Sequence, residues 1–214
     1  MCILKVSIGI GQLCSPGRSF MASFCLMVLQ VFFFSPVKAQ DNEYEKALSR
    51  FTGPNKYDIE RPGAMVGVAA PDFEGKTLDG KKISLGSLKG KVVVLNFWFI
   101  ACAPCKTEVA PFNELIEKYR KEKDLVFVSI AKEKKQDLAE YLAKHPFLFQ
   151  TIADPDASLS NQRFHVLGYP TTMVIDRQGK ISYYSLGGKI LEDAVRKEFE
   201  EKLVPVIQSE LRKK

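Results

Sequence analysis

The sequence predicts an α/β sandwich, a mixed central sheet flanked by helices. Two continuous β-branched and aromatic runs, "KVVVLNFWF" at 91–99 and "LVFVSIA" at 125–131, have the composition of strands buried on both faces, and each is followed by helical spacing. The chain then closes with "TTMVID" and "KISYYSL" around the turn "DRQGK", an antiparallel hairpin, and with an amphipathic helix at 190–211. Strands that first alternate with helices and then end in a hairpin require both parallel and antiparallel pairing.

Taken in order, the elements begin with an appendage, since 214 residues suit one domain with an extension better than two domains. Residues 20–37 read "FMASFCLMVLQVFFFSPV", without a charge; Lys5 and Arg18 precede this run, and "VKA" ending at Ala39 fits a small-residue cleavage site. Residues 1–39 are therefore expected to be a signal peptide, or an N-terminal membrane anchor if they are retained, and either places the rest outside the cytoplasm. Loss of Lys5, Arg18 and Lys38, with no acid among these residues, lowers the net charge from +6 to +3. That excludes a nucleic-acid partner as the ground for the charge.

Residues 40–66 are expected to be a lead-in, with a short polar helix at 41–51 and then an irregular stretch rich in Gly and Pro. The folded domain is expected over 67–214. "DFEGKTLDGKKISL" at 72–85 reads as a hairpin turning at "LDGK". After the first buried strand, 103–121 has helical spacing, and Cys105, Val109, Phe112, Ile116 and Tyr119 share one face. The second buried strand leads to a helix at 136–144, a third strand "FLFQTIA" at 147–153, a short helix at 156–164, the hairpin and the last helix.

Cysteine placement carries the chemistry. Cys2, Cys14 and Cys25 lie in the leader, so the mature chain keeps only Cys102 and Cys105, in "NFWFIACAPCKTEV" at 96–109. A bridge across two residues closes almost no loop and restricts the unfolded chain little, which makes a structural staple the weaker reading. A closed zinc site wants four ligands, and the chain adds only His145 and His165. At a helix N-terminus, by contrast, free N–H groups and the helix dipole lower a thiol pKa from about 8.5. Cys102 is then expected to be an exposed nucleophile and Cys105, one turn inward, the resolving thiol. Pro104 needs no N–H partner in the first turn, and Glu108 lies beside the apolar stripe.

These motifs together resemble the thioredoxin superfamily, and in particular its exported or membrane-anchored TlpA/ResA-like group with a redoxin/AhpC-TSA-like domain. "APDFEGKTLDGKKISLGSLKGKVVVLNFW" is similar to that group's N-terminal hairpin and first core strand, "CAPCKTE" to its active site, and "LGYPTTMVIDRQGKI" to its cis-proline loop and following hairpin. The resemblance implies a thioredoxin-like sandwich in which 134–152 is an extra helix-strand insertion. It further implies a thiol-disulfide oxidoreductase with Cys102 attacking, Cys105 resolving and Glu108 relaying protons. Tyr169 and Pro170 would meet the client, with Ala103, Pro104 and Trp98 beside them. No cofactor is implied beyond the redox-active Cys102–Cys105 disulfide. The implied partners are oxidised client proteins, apocytochrome c among the candidates, and a membrane electron donor.

The chain departs from the pattern at three places. Asn96 stands where thioredoxin has a buried acid, Ala101 replaces the tryptophan before the first cysteine, and the helix proline is displaced to Pro111, with Ala110 in its usual place. Two other functions compete. A thiol peroxidase would need Thr or Ser three residues before the reactive cysteine, where Phe99 stands; a copper-delivery module would want a C-x-x-x-C spacing and a distal histidine, for which only His165 offers itself.

Overall fold

The computed structural model describes residues 36–54 and 62–213, so the expected leader lies almost wholly outside the described residues. Among the described residues no helix is long and apolar enough to cross a membrane. The central sheet has five strands in the order β5-β4-β3-β6-β7, formed by β3 (Val92–Trp98), β4 (Leu125–Ala131), β5 (Gln150–Ala153), β6 (Thr171–Ile175) and β7 (Ile181–Leu186). β3 pairs parallel with β4 and antiparallel with β6, β4 pairs parallel with β5, and β6 pairs antiparallel with β7. This is the mixed sheet the sequence predicts.

Every residue of β3 and β4 is buried. The two-residue period of a strand sends Val93, Leu95 and Phe97 into one apolar core and Val92, Val94 and Trp98 into the other. Asn96 belongs to the second face by the same period, the face that carries both cysteines.

The first core corrects the expected boundary at 67. Helix α1 (Pro36–Thr52) is no polar lead-in: Tyr44, Ala47, Leu48 and Phe51 recur at helical spacing and are all buried. The Tyr44 hydroxyl donates to the Phe164 carbonyl at 2.9 Å, and the Phe51 ring meets Tyr184 edge-on at 4.9 Å. The compact unit accordingly runs from Val37 to Lys214. Glu43, Glu45 and Lys46 on the opposite side of the helix hide this stripe from a reading by average polarity. A short 3-10 turn at Pro62–Met65 continues the same layer.

The hairpin forms as expected from β1 (Glu74–Lys76) and β2 (Lys82–Ser84), with Gly80 at φ 88° supplying the turn. It extends to β5 through a Thr77–Ile152 bridge and so covers that edge of the sheet. β5 is shorter than "FLFQTIA" suggested. Phe147 and Phe149 leave the ladder to pack on Trp98 and Phe112, with ring centroids 5.4 Å and 5.0 Å apart.

Both long helices are interrupted, for one reason. The helix expected at 103–121 divides into α2 (Ala103–Thr107) and α3 (Val109–Lys118), because Pro111 cannot donate to the Thr107 carbonyl one turn back. The last helix divides into α5 (Glu192–Glu198), a π-helical turn (Phe199–Leu203) and α6 (Val204–Arg212), where Pro205 removes the corresponding bond. Between β4 and β5 lies α4 (Lys135–Lys144). The short helix expected at 156–164 is a π-helical turn (Ser158–Arg163), held by the buried Asp154 carboxylate, which accepts from Leu159 N at 3.0 Å and Ser160 N at 2.8 Å.

Candidate active site

The C-terminal end of β3 delivers the chain to the cysteine pair. Cys102 is the N-cap of α2, with extended backbone (φ −73°, ψ 105°), and its sulfur accepts the Cys105 N–H at 3.2 Å. Pro104 occupies the first turn, where no N–H is missed. Cys102 and Cys105 are joined as a disulfide with their Cα atoms 5.2 Å apart, so the structure is that of the oxidised protein.

One expectation is corrected here. Cys102 is not exposed: its relative accessibility is 4%, beside 3% for Cys105. Its sulfur turns back over the first helical turn toward Cys105 rather than outward. The surface around the pair is formed by exposed Ala101 and Ala103 and by half-buried Phe99, Pro104 and Tyr169. Trp98, grouped with the client-contacting residues from sequence, is 2% exposed; its Nε1 donates to Ser129 Oγ at 3.3 Å. It packs under the site and cannot touch a client.

Glu108 follows Cys105 by one turn, and its N–H donates to the Cys105 carbonyl at 3.2 Å. It is not a solvated acid, being 7% exposed. Burial pushes its carboxyl up to about 8, a rise that the Asn96 hydrogen bond opposes and the neighbouring Glu198 charge assists. Asn96 Nδ2 lies 3.4 Å from Glu108 Oε2 and donates to Thr172 Oγ1 at 3.0 Å. The residue that replaces thioredoxin's buried acid therefore orients the buried acid this chain does have.

The Tyr169–Pro170 peptide is cis. Gly187 N–H donates to the Pro170 carbonyl at 2.8 Å, and a Cβ at Gly188 would lie 2.9 Å from Pro170 Cγ and 3.2 Å from Glu108 Oε1. Only glycine lets that loop close over both. The Tyr169 ring meets Phe99 edge-on at 5.3 Å, which ties the proline loop to the approach to Cys102.

Three contributors were missed from sequence. Thr172 becomes a partner of Asn96 only through the antiparallel register that sets the two residues opposite each other. Glu133 accepts the Ile100 N–H at 2.7 Å and so holds the segment before Cys102; burial raises its pKa. Gly188 had a signal, because a Gly-Gly pair just after a strand marks close backbone approach. The histidine considered for copper lies elsewhere: His165 Nε2 pairs with Glu45 on α1 at 3.3 Å. Among the described residues no group of three or more His, Cys, Asp or Glu could hold a metal ion.

The AhpC/TSA family model matches residues 66–184. Thioredoxin-like protein YneN of Bacillus subtilis is 35% identical over 159 residues, covering 72% of this chain and 89% of YneN. Thiol-disulfide oxidoreductase ResA of Bacillus cereus is 32% identical over 143 residues, 66% of this chain and 82% of ResA. Among solved structures, a candidate thiol:disulfide interchange protein DsbE from Chlorobium tepidum superposes with TM-score 0.59 at 29% identity, over 66% of this chain and 97% of that one. A second thiol:disulfide interchange protein of the thioredoxin family from the same organism gives TM-score 0.51 at 26% identity, over 67% and 95%. The fold is the thioredoxin-like sandwich that the motifs resemble.

Proposed function

We propose that this chain, a thiol-disulfide oxidoreductase that belongs to the AhpC/TSA family, works outside the cytoplasm as a reductant of oxidised client proteins. The observation that carries the reading is the Cys102–Cys105 disulfide at the mouth of α2, followed by a buried carboxyl that the Gly188 loop packs against together with cis-Pro170.

In the reduced protein the Cys102 thiolate attacks one sulfur of a client disulfide. A mixed disulfide forms, and the other client sulfur leaves as a thiolate that takes a proton. Cys105 then loses its proton and attacks Cys102 Sγ, releasing the second client sulfur and closing the Cys102–Cys105 bridge. Two electrons pass to the client, and a dithiol donor at the membrane returns them. Glu108 acts on the Cys105 proton: with its carboxyl held near 8, it exchanges protons close to neutral pH, where an ordinary glutamate is already fully ionised.

Client contact falls to Tyr169, because Pro170 itself is buried while Tyr169 is half-exposed. Ala103 and Pro104 line the approach. Phe99 occupies the position where a peroxidatic site needs a hydroxyl, which argues against thiol peroxidase chemistry. Export is supported by the apolar run at 20–37, and apocytochrome c is among the clients that this reading admits.

The surroundings of Cys102 support this direction. Strong oxidants stabilise their reduced thiolate unusually well, and Ala103 and Pro104 add neither charge nor a side-chain donor. The expected potential is about −200 to −300 mV. Equilibration with glutathione or dithiothreitol buffers measures it; a value near about −120 mV would make the protein a disulfide-forming oxidant instead.

A further inference from the structure

The end of the sheet opposite the disulfide is strongly basic. Cys102 follows the C-terminal end of β3, and the seven residues of that strand separate it by roughly 20 Å from the loops at the strand's start. At that far end lie the turn into β3, the connection from α3 to β4, and the β6–β7 turn. They carry Lys89, Lys91, Arg120, Lys121, Lys123 and Lys180, of which all but the half-buried Lys91 are exposed. None of the six takes part in an ion pair among the described residues.

Of the acids at this end Asp124 pairs with Arg177 at 3.1 Å, whereas Asp176 accepts the N–H groups of Gln178 and Lys180 at 2.9 Å and 2.8 Å, Glu122 accepts Asp124 N–H at 3.4 Å and Asp72 accepts Phe73 N–H at 3.0 Å. These last three keep their charge, and the six unpaired basic side chains outnumber them. The packing also fixes these loops against one another: Lys91 Nζ donates to the Lys123 carbonyl at 3.2 Å, and Arg177 donates to the Gly90 carbonyl at 2.7 Å. The free cations therefore sit on one rigid surface.

The first turns of α1 reach the same end. Gln40 Nε2 donates to the Ala70 carbonyl at 2.7 Å, and Ala70 N–H donates to Gly179 in the β6–β7 turn at 2.9 Å. In sequence, the uncharged run at 20–37 ends only three residues before Gln40.

We propose that this basic pole rests on the anionic phospholipid headgroups of a membrane surface, with the disulfide presented on the side away from the bilayer. Clustered lysines at the end of the domain that an apolar run precedes in sequence are the chemistry that recognises such a surface. Chain entry at the pole favours a membrane over other polyanions. Because the pole holds no thiol chemistry, the proposal stands or falls separately from the redox reading.

The test is sedimentation of the full chain with vesicles of phosphatidylcholine alone and of phosphatidylcholine with phosphatidylglycerol. Binding should rise with phosphatidylglycerol and weaken as salt is raised. The triple variant Lys89→Glu, Lys123→Glu, Lys180→Glu should lose at least about tenfold of the phosphatidylglycerol-dependent part, since each lysine near a charged surface contributes roughly fivefold. The same charge change at the redox pole, Lys106→Glu, Lys134→Glu, Lys135→Glu, should leave most of it, and thermal melting checks that both triples fold. The apolar run at 20–37 is common to all the proteins, so partition coefficients are compared at lipid concentrations where each is only partly bound, and that shared contribution then divides out of the ratios. Equal binding to the two vesicle types, or equal losses from the two triples, overturns the proposal.

Discussion

Replacing Glu108 by glutamine should make the protein more stable at alkaline pH. In the folded state burial holds the Glu108 carboxyl near 8, against 4.5 for an ordinary glutamate. Between these values the unfolded chain releases the proton while the folded chain keeps it, so folding stability falls as pH rises from about 4.5 and levels off above about 8. At about 1.4 kcal/mol per pH unit, the full span costs the folded protein about 5 kcal/mol at pH 9, and relaxation around the carboxylate will reduce that to a few kcal/mol. The glutamine side chain of the variant would carry no proton to lose, while its amide oxygen can still accept from Asn96. Urea unfolding of the oxidised protein at pH 5, 7 and 9 reads the effect. The wild type should lose stability relative to Glu108→Gln across this series, the two lying close together at pH 5. Taking the difference between the proteins removes the titrations they share, Glu133 included. Parallel profiles would show that Glu108 ionises as an ordinary acid, and the proton role assigned to it would fall.

Asn96→Ala should push the Glu108 titration further up, because the hydrogen bond that opposes burial is gone, and should cost about 1–3 kcal/mol by leaving Thr172 and the carboxyl without their partner; the pH dependence of cysteine alkylation and urea unfolding report the two effects. Phe51→Ala should cost about 3–5 kcal/mol, as expected of a core position and not of a lead-in, whereas a loss under about 1 kcal/mol would detach α1 from the domain. Titration of the reduced protein with copper(I) under competition from a chelator should show no tight stoichiometric site, and a site that disappears in His165→Ala would revive metal delivery.

The parts of the fold visible in the sequence are those set by short-range pattern. β3 and β4 could be placed because strands buried on both faces must be apolar throughout, and the cysteines because their spacing and helix-mouth position have few uses. What stayed hidden depends on neighbours distant in sequence. The apolar stripe of α1 is thin, and only Phe164 and Tyr184 across the core give it a purpose. The burial of Glu108 follows from Asn96, Thr172 and the Gly188 loop converging from three elements, a register that no local window contains. The breaks at Glu108 and at 199–203 were readable in principle, since Pro111 and Pro205 stand where helical bonds are needed. The burial of Cys102 was not legible because helix-mouth position alone does not say that its sulfur turns back toward Cys105.

The assignment of Cys102 as nucleophile and Cys105 as resolver is tested most directly by trapping. A Cys105→Ser protein, reduced and mixed with a peptide disulfide, should hold the peptide as a lasting mixed disulfide that peptide mass mapping places on Cys102, while Cys102→Ser under the same conditions should trap none. A mixed disulfide forming as fast on Cys105 of the Cys102→Ser protein, or disulfide reductase turnover surviving in that variant, would contradict the account.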